Sequence, residues 1–287
     1  MDGGGTRLVE VDGLRLRISV RGRGRPLLLI TGLGAPLDLA APFEAELCAR
    51  GHQVIGFDAP GIGGSTAYRW PRRLPGVART IARLVHDLGH ERVDVLGVSL
   101  GGAVAQQLAR SAPGRVGRLV LAATGPGLGG VPGSPRVLLH LATPRRYRDP
   151  ENYARIAGRT YGGTARRDPV ALLHAGPEHA VPPSTWGYLS QLYAIAGWTS
   201  LPWLHRIPHP TLVMAGDDDP IVPLVNSRLL AWRIPDARLH VVRGGGHLFL
   251  LERPADSADV VSSFLTPADP RAAPPGRQER GRDPSDG

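Results

Sequence analysis

The sequence predicts an α/β fold: a mostly parallel eight-stranded sheet flanked by helices, with a helical cap inserted late in the chain. Two observations predict the sheet. Short apolar runs such as Leu27 to Ile30 and Val93 to Val98 alternate with amphipathic helical patterns, as expected of parallel strands covered on both faces. Several of these runs also end abruptly in glycine-bearing turns, the usual exit from a buried strand. A third observation predicts the insertion. From Thr124 to about Pro210 glycine and proline break the pattern, helical stretches shorten and aromatic residues concentrate.

Taken in order, Leu8 to Val11 and Leu14 to Val20 alternate apolar and polar residues around Asp12-Gly13, the signature of an antiparallel hairpin. Pro26 to Ile30 is a buried strand that enters the turn Thr31-Gly32-Leu33-Gly34-Ala35. Functional loops of open α/β sheets gather at strand carboxyl ends, so this turn is expected to border a crevice. A helix over Phe43 to Arg50 precedes the strand Gln53 to Asp58 and the Pro/Gly-rich loop Ala59 to Ser65. Val77, Ile81, Leu84, Val85 and Leu88 keep helical spacing over Leu74 to Leu88. The strand Val93 to Val98, a helix over Ala103 to Arg110 and the strand Val116 to Ala123 follow.

The sheet resumes with Thr211 to Gly216 and Ala237 to Val242 around a helix over Ser227 to Arg233, and Asp256 to Leu265 closes it. The expected division is a core from 1–124 and 211–266, a cap from 125–210 and a tail from 267–287. The tail is proline-rich, charged and poor in large apolar residues, a composition that stays disordered. Within the cap, Tyr147, Tyr153, Tyr161, Tyr188, Tyr193, Trp186, Trp198 and Trp203 are expected mostly to form its own small core, with one or two lining a pocket.

The chemistry centres on Gly97-Val98-Ser99-Leu100-Gly101. This is the G-x-S-x-G spacing of a nucleophile elbow, in which glycines let strand and helix approach while the serine is held strained and exposed. The Leu100 N–H, at the start of the following helix, points toward an oxyanion formed beside Ser99. A nucleophilic serine also needs an acid and a histidine, in that chain order. Gly216-Asp217-Asp218-Asp219-Pro220 supplies carboxylates at a strand end, and Gly244-Gly245-Gly246-His247 follows the last strand. The alternative acid position after the Val116 strand holds Thr124 and Gly125.

Other chemistries find no footing. His52, His86, His90, His140, His174, His179, His205, His209 and His240 fall on surface helices, cap segments or mid-strand and read as packed or solvated. Cys48 stands alone and no H-E-x-x-H occurs, so no metal site is expected, and no phosphate-binding or dinucleotide fingerprint implies a cofactor. The net charge is +9 with every basic residue an arginine, but the arginines are scattered among acids, so nucleic acid is not an expected partner. A single cysteine and the absence of an apolar run long enough to span a bilayer lead to the expectation of a soluble cytoplasmic protein without disulfides.

The Ser99 elbow, the Thr31-Gly32-Leu33-Gly34 turn, Phe57-Asp58-Ala59-Pro60-Gly61 and the ordered acid and histidine together resemble the α/β-hydrolase superfamily. Thr143 to Tyr147, Thr160 to Gly163, Arg166 to Pro169, Gly197 to Ser200, and the stretches Ala215 to Pro220, Leu229 to Pro235 and Gly246 to Leu250 resemble its intracellular poly(3-hydroxyalkanoate) depolymerases, over Leu8 to Leu265. The resemblance implies Ser99 as nucleophile, His247 as general base and then acid, and Asp219, by the family spacing, as the carboxylate that orients it. It also implies an oxyanion hole from the N–H groups of Leu33 and Leu100, no cofactor, and a hydrophobic ester or polyester substrate met at storage granules. Two departures stand out: Leu100 replaces the group's tryptophan after the nucleophile, and the loop before His247 is longer by a glycine. The same scaffold also suits a small-ester carboxylesterase, a lactonase or a cofactor-free perhydrolase, and a non-catalytic ligand-binding protein is the reading from another class. Oligomeric state has no signature in the chain.

Overall fold

Strand residues that alternate between two apolar surfaces give this sheet two covered faces. The computed structural model describes residues 5–169 and 181–266; the tail from Pro267, together with His174 and His179, lies outside the described residues. Strands β1 (Arg7–Val11) and β2 (Leu14–Arg21) pair antiparallel around Asp12 and Gly13, both at positive φ. That is the backbone of the favoured two-residue hairpin turn. Next come β3 (Arg25–Ile30), α1 (Ala41–Ala49), β4 (His52–Phe57), α2 (Leu74–Asp87), β5 (Val93–Val98), α3 (Leu100–Ser111) and β6 (Val116–Ala122). Beyond the insertion lie β7 (Thr211–Gly216) and β8 (Ala237–Val242). The sheet has eight strands in the order β1-β2-β4-β3-β5-β6-β7-β8. β2 meets β4 antiparallel, and the pairings from β4 through β8 are parallel.

In β3, Leu27 and Leu29 pack with Phe43 and Leu47 of α1 and with Val261 and Leu265 of the chain's last described helix. Leu28 and Ile30 face the opposite way, among Ile81 and Leu84 of α2 and Leu108 of α3. A slip of one residue in β3 would exchange these sets, so packing on both faces fixes its register only together with its neighbours.

The helix after Ser99 begins at Leu100, where the elbow places it, three residues ahead of the run from Ala103 that helix propensity marks. Glycine is a poor helix former, which hides the first turn from a propensity reading. Tertiary contact explains the glycines: a methyl group on Gly101 would overlap the Ile30 carbonyl oxygen and lie 2.6 Å from that of Thr31, and one on Gly102 would lie 2.6 Å from Thr124 Oγ1. Gly101→Ala is therefore expected to cost about 3 kcal/mol or more, because backbone must move to admit it. Urea denaturation reads that loss directly, and a variant as stable as wild type would contradict the packing.

Between β6 and β7 the chain forms α4 (Pro135–Leu141), a 3-10 turn at Pro144–Tyr147, α5 (Pro150–Tyr161) and α6 (Thr185–Ile195). Each of these α-helices starts at a side-chain cap: Ser134, Asp149 and Ser184 accept the N–H of Val137, Asn152 and Gly187. Tyr153, Ala157, Tyr161 and Ala165 form a small core of their own, with Ile221 and Leu248 packed against it. After β7 come α7 (Leu224–Arg233), then β8, α8 (Phe249–Glu252) and α9 (Pro254–Leu265). Among the described residues no helix is long and apolar enough to cross a membrane.

Candidate active site

Ser99 sits between β5 and α3 at φ 55° and ψ −118°, a region that costs a non-glycine residue about 1–3 kcal/mol. Backbone bonds hold it there. Its N–H donates to the Ala122 carbonyl at 2.9 Å, and its own carbonyl accepts from the Gly102 N–H at 2.9 Å and the Thr124 hydroxyl at 2.8 Å. A side chain on Gly97 would overlap the Gly101 carbonyl, so both elbow glycines are needed for strand and helix to approach.

His247, on the loop after β8, places Nε2 2.9 Å from Ser99 Oγ. Its Nδ1 lies 2.7 Å from Asp219 Oδ2. A carboxylate oxygen can only accept, which assigns the proton to Nδ1 and leaves the Nε2 lone pair to accept from the serine hydroxyl. The other Asp219 oxygen accepts the N–H groups of Ile221 at 2.8 Å and Val222 at 2.9 Å. The Asp219 and His247 side chains are 1% and 6% exposed, so this chain of hydrogen bonds works in a medium that strengthens it.

Ser99, His247, Leu33 and Leu100 border one cavity of about 720 Å³. Its walls are mainly apolar, including Leu29, Leu39, Phe43, Leu138, Val222 and Leu251. Tyr147, Tyr153 and Tyr161 of the insertion also line it, one more aromatic than the sequence suggests. The tryptophans pack elsewhere: Trp198 sits edge-on to Trp203, with ring centroids 6.0 Å apart, and donates to Gln107, while Trp186 is partly exposed.

Residues 25–254 match the model of the α/β hydrolase fold family. The chain belongs to the α/β-hydrolase family. It is 49% identical over 263 residues to a poly(3-hydroxyalkanoate) depolymerase from Ectopseudomonas oleovorans, spanning 90% of this chain and 92% of that protein. It is 30% identical over 227 residues to a 2-hydroxy-6-oxo-6-phenylhexa-2,4-dienoate hydrolase from Comamonas testosteroni, 75% of this chain and 77% of that one. The crystal structure of an enol-lactonase from Burkholderia xenovorans LB400 superposes with a TM-score of 0.76 at 25% identity, covering 90% of this chain and 99% of the lactonase.

In this α/β hydrolase the three consecutive aspartates have three different partners. Asp217 accepts the Gly244 N–H at 2.6 Å and so shapes the glycine turn before His247. Asp218 accepts the Gly163 N–H at 2.8 Å and pairs bidentately with Arg166 at 2.7 and 2.8 Å, tying the insertion to the end of β7. The Arg166 guanidinium holds the Asp218 carboxyl below the usual range, so this tie is complete above ordinary carboxylate pKa values and is lost as pH falls through the depressed one. Only Asp219 reaches the imidazole.

The glycine run before His247 has a steric reason that no sequence pattern carries. A side chain on Gly246 would overlap the Tyr161 carbonyl and lie 2.7 Å from the Gly163 nitrogen, and one on Gly216 would overlap the Gly245 carbonyl. The loop is threaded between β7 and the insertion, and the His247 N–H donates to the Tyr161 carbonyl at 2.7 Å.

Asp58 of the Phe57-Asp58-Ala59-Pro60-Gly61 motif organises loops instead of entering the cavity. It accepts the N–H groups of Leu37 and Gly64 and pairs with Arg17, although its burial pushes the carboxyl pKa up.

Arg146 is the residue at this site that sequence reasoning passes over, since nothing in Arg145-Arg146-Tyr147 separates the two arginines. Arg145 pairs with Asp149 at the surface. Arg146 is 6% exposed, lines the cavity and donates to the Tyr188 hydroxyl and, at 2.9 Å, to the Leu33 carbonyl. Burial opposes its charge, and the hydrogen bonds its guanidinium makes to the Tyr188 hydroxyl and the Leu33 carbonyl offset part of that cost.

Proposed function

We propose that this α/β hydrolase is a serine esterase that cleaves the ester bonds of poly(3-hydroxyalkanoate) or its oligomers, releasing 3-hydroxy acids. The observation that carries the reading is the unbroken chain Asp219–His247–Ser99 opening into a large apolar cavity. The depolymerase relative at 49% identity supports the choice of polymer.

Ser99 is the nucleophile. As its Oγ attacks the ester carbonyl carbon, the hydroxyl proton passes to His247 Nε2, and Asp219 stabilises the imidazolium. The N–H groups of Leu33 and Leu100 receive the resulting oxyanion. Collapse of the tetrahedral species breaks the bond to the alkoxy end, which takes the proton from His247 and leaves as the hydroxyl terminus of the shortened chain. Water then gives its proton to His247 and attacks the acyl-enzyme, and Ser99 is regenerated as the 3-hydroxy acid departs.

Residues 125–210 act as the cap in this reading, and the rim of the cavity meets the polymer. Leu128, Val131, Leu138 and Val181 line the cavity and are each between 41% and 66% exposed, which suits contact with a water-insoluble granule surface.

Chain-length selectivity tests the function. Burying an alkyl chain yields roughly 25 cal/mol for each Å² removed from water. The octanoate ester of p-nitrophenol is therefore expected to exceed the acetate in kcat/KM by about tenfold or more, with soluble 3-hydroxy acids released from dispersed medium-chain polyester. Leu100→Trp should move the chain-length optimum, because residue 100 borders both the nucleophile and the cavity. A preference for acetate together with inert polyester would replace the depolymerase reading with a small-ester carboxylesterase.

A further inference from the structure

We propose that Arg146, Tyr147 and Gln191 are positioning residues that hold the oxyanion turn in its working geometry, so that the insertion assembles half of the oxyanion hole. The inference rests on the serine esterase reading and on the assignment of the Leu33 N–H to the oxyanion.

The turn itself is incomplete without them. The Gly32 carbonyl accepts the Ala35 N–H at 3.2 Å, which closes a four-residue turn with Gly34 at φ 73°. Because the peptide is trans, the Leu33 N–H points opposite to the Gly32 carbonyl and so away from the turn's interior. Gly32 is pressed on the nucleophile, since a side chain there would stand 3.3 Å from Ser99 Cβ.

The central peptide of such a turn, between Leu33 and Gly34, makes no hydrogen bond within it. Turn types I and II differ mainly by rotation of that unit, with consequent changes at the residues on either side. Here both of its ends are taken by the insertion. The Leu33 carbonyl accepts from Arg146 Nη2 at 2.9 Å and from the Tyr147 hydroxyl at 2.7 Å, and the Gly34 N–H donates to Gln191 Oε1 at 2.8 Å. A side chain on Gly34 would lie 2.7 Å from the Tyr147 ring and 2.8 Å from that of Tyr188, so the turn is clamped sterically as well.

The arginine is an expensive choice for a purely structural role. Burying a guanidinium costs free energy that a carboxylate usually offsets, yet the described partners of Arg146 are tyrosine hydroxyls, one carbonyl and the faces of Tyr147 and Tyr188. Its fork is what spans from Tyr188 on α6 to the oxyanion turn, a geometry that lysine lacks.

The test uses the full chain with Arg146→Met, Arg146→Lys, Tyr147→Phe and Gln191→Leu, and with Arg145→Ala as a control in the same segment. Two inhibitors of equal chain length separate the effects. An alkyl trifluoromethyl ketone adds Ser99 to form an oxyanion, whereas the linear alkanol only fills the cavity. Arg146→Met is expected to weaken ketone inhibition and kcat together by about 10- to 100-fold, the scale of a displaced oxyanion donor, with alkanol inhibition and KM held within about twofold. Tyr147→Phe, which keeps the ring, and Gln191→Leu should show the same pattern at smaller size, Arg146→Lys should restore only part, and Arg145→Ala should match wild type. Folded variants that retain ketone affinity and kcat, or that lose alkanol and ketone binding equally, overturn the proposal. A wild-type enzyme that the ketone inhibits no better than the alkanol overturns the oxyanion assignment itself, and this proposal with it.

Discussion

Ser99→Ala is expected to lower kcat for p-nitrophenyl octanoate by about 10⁶-fold, the scale reached when a triad nucleophile is removed. Its melting temperature should stay within about 2 °C of wild type. The two halves of the expectation have separate causes. Chemistry is lost because Oγ is the atom hydrogen-bonded to His247 Nε2, at 2.9 Å. Folding is kept because the bonds that fix the elbow, to Ala122, Gly102 and Thr124, all use Ser99 backbone atoms. Alanine keeps the positive φ strain, so Ser99→Gly should be equally inactive yet more stable than Ser99→Ala. A fluorophosphonate probe that labels wild type and neither variant would complete the case. Turnover near the wild-type rate in Ser99→Ala would show that another group attacks the ester.

Asp219→Asn is expected to lose about 10⁴-fold in kcat with little change in KM, and the hydrogen bonds around it say why. One carboxylate oxygen is committed to the Ile221 and Val222 N–H groups. An asparagine keeps those bonds by placing its carbonyl there, which turns its NH₂ toward His247 Nδ1. The imidazole must then accept at Nδ1 and carry its proton on Nε2, facing Ser99 with no lone pair to take a proton. Asp217→Asn still offers an oxygen to the Gly244 N–H, and Asp218→Asn gives up a partly exposed ion pair with Arg166. Such pairs contribute about 0–1 kcal/mol, so both variants should retain activity within about threefold of wild type. Steady-state kinetics on the three variants decides among the carboxylates. A larger loss at Asp217 or Asp218 would reassign the acid.

Much of this architecture was readable from local pattern. The apolar runs matched the strands because a strand buried on both faces must be apolar along its length, and the hairpin at Asp12-Gly13 followed from residues that tolerate positive φ. Boundaries failed where packing overrode propensity. The first turn of α3 was legible from the elbow and not from propensity, which Gly101 and Gly102 lower, whereas α7 starts at Leu224, directly after Pro223, not at Ser227.

Sequence alone determined the order of elements, the elbow at Ser99 and the ordered supply of an acid and a histidine, since each is written in neighbouring residues whose steric and hydrophobic demands are met within one turn or one strand. Family spacing was needed to favour Asp219 over its neighbours. The tertiary structure decided what those neighbours do, which tyrosines face the cavity, why glycines crowd before His247, and which of two adjacent arginines is buried. Those outcomes depend on groups far apart in the chain meeting in space: Leu33 with Arg146 across 113 positions, Ser99 with His247 across 148 and Gly34 with Gln191 across 157. No local periodicity encodes such pairs, because both partners gain their roles only when the sheet and the insertion have closed around one cavity.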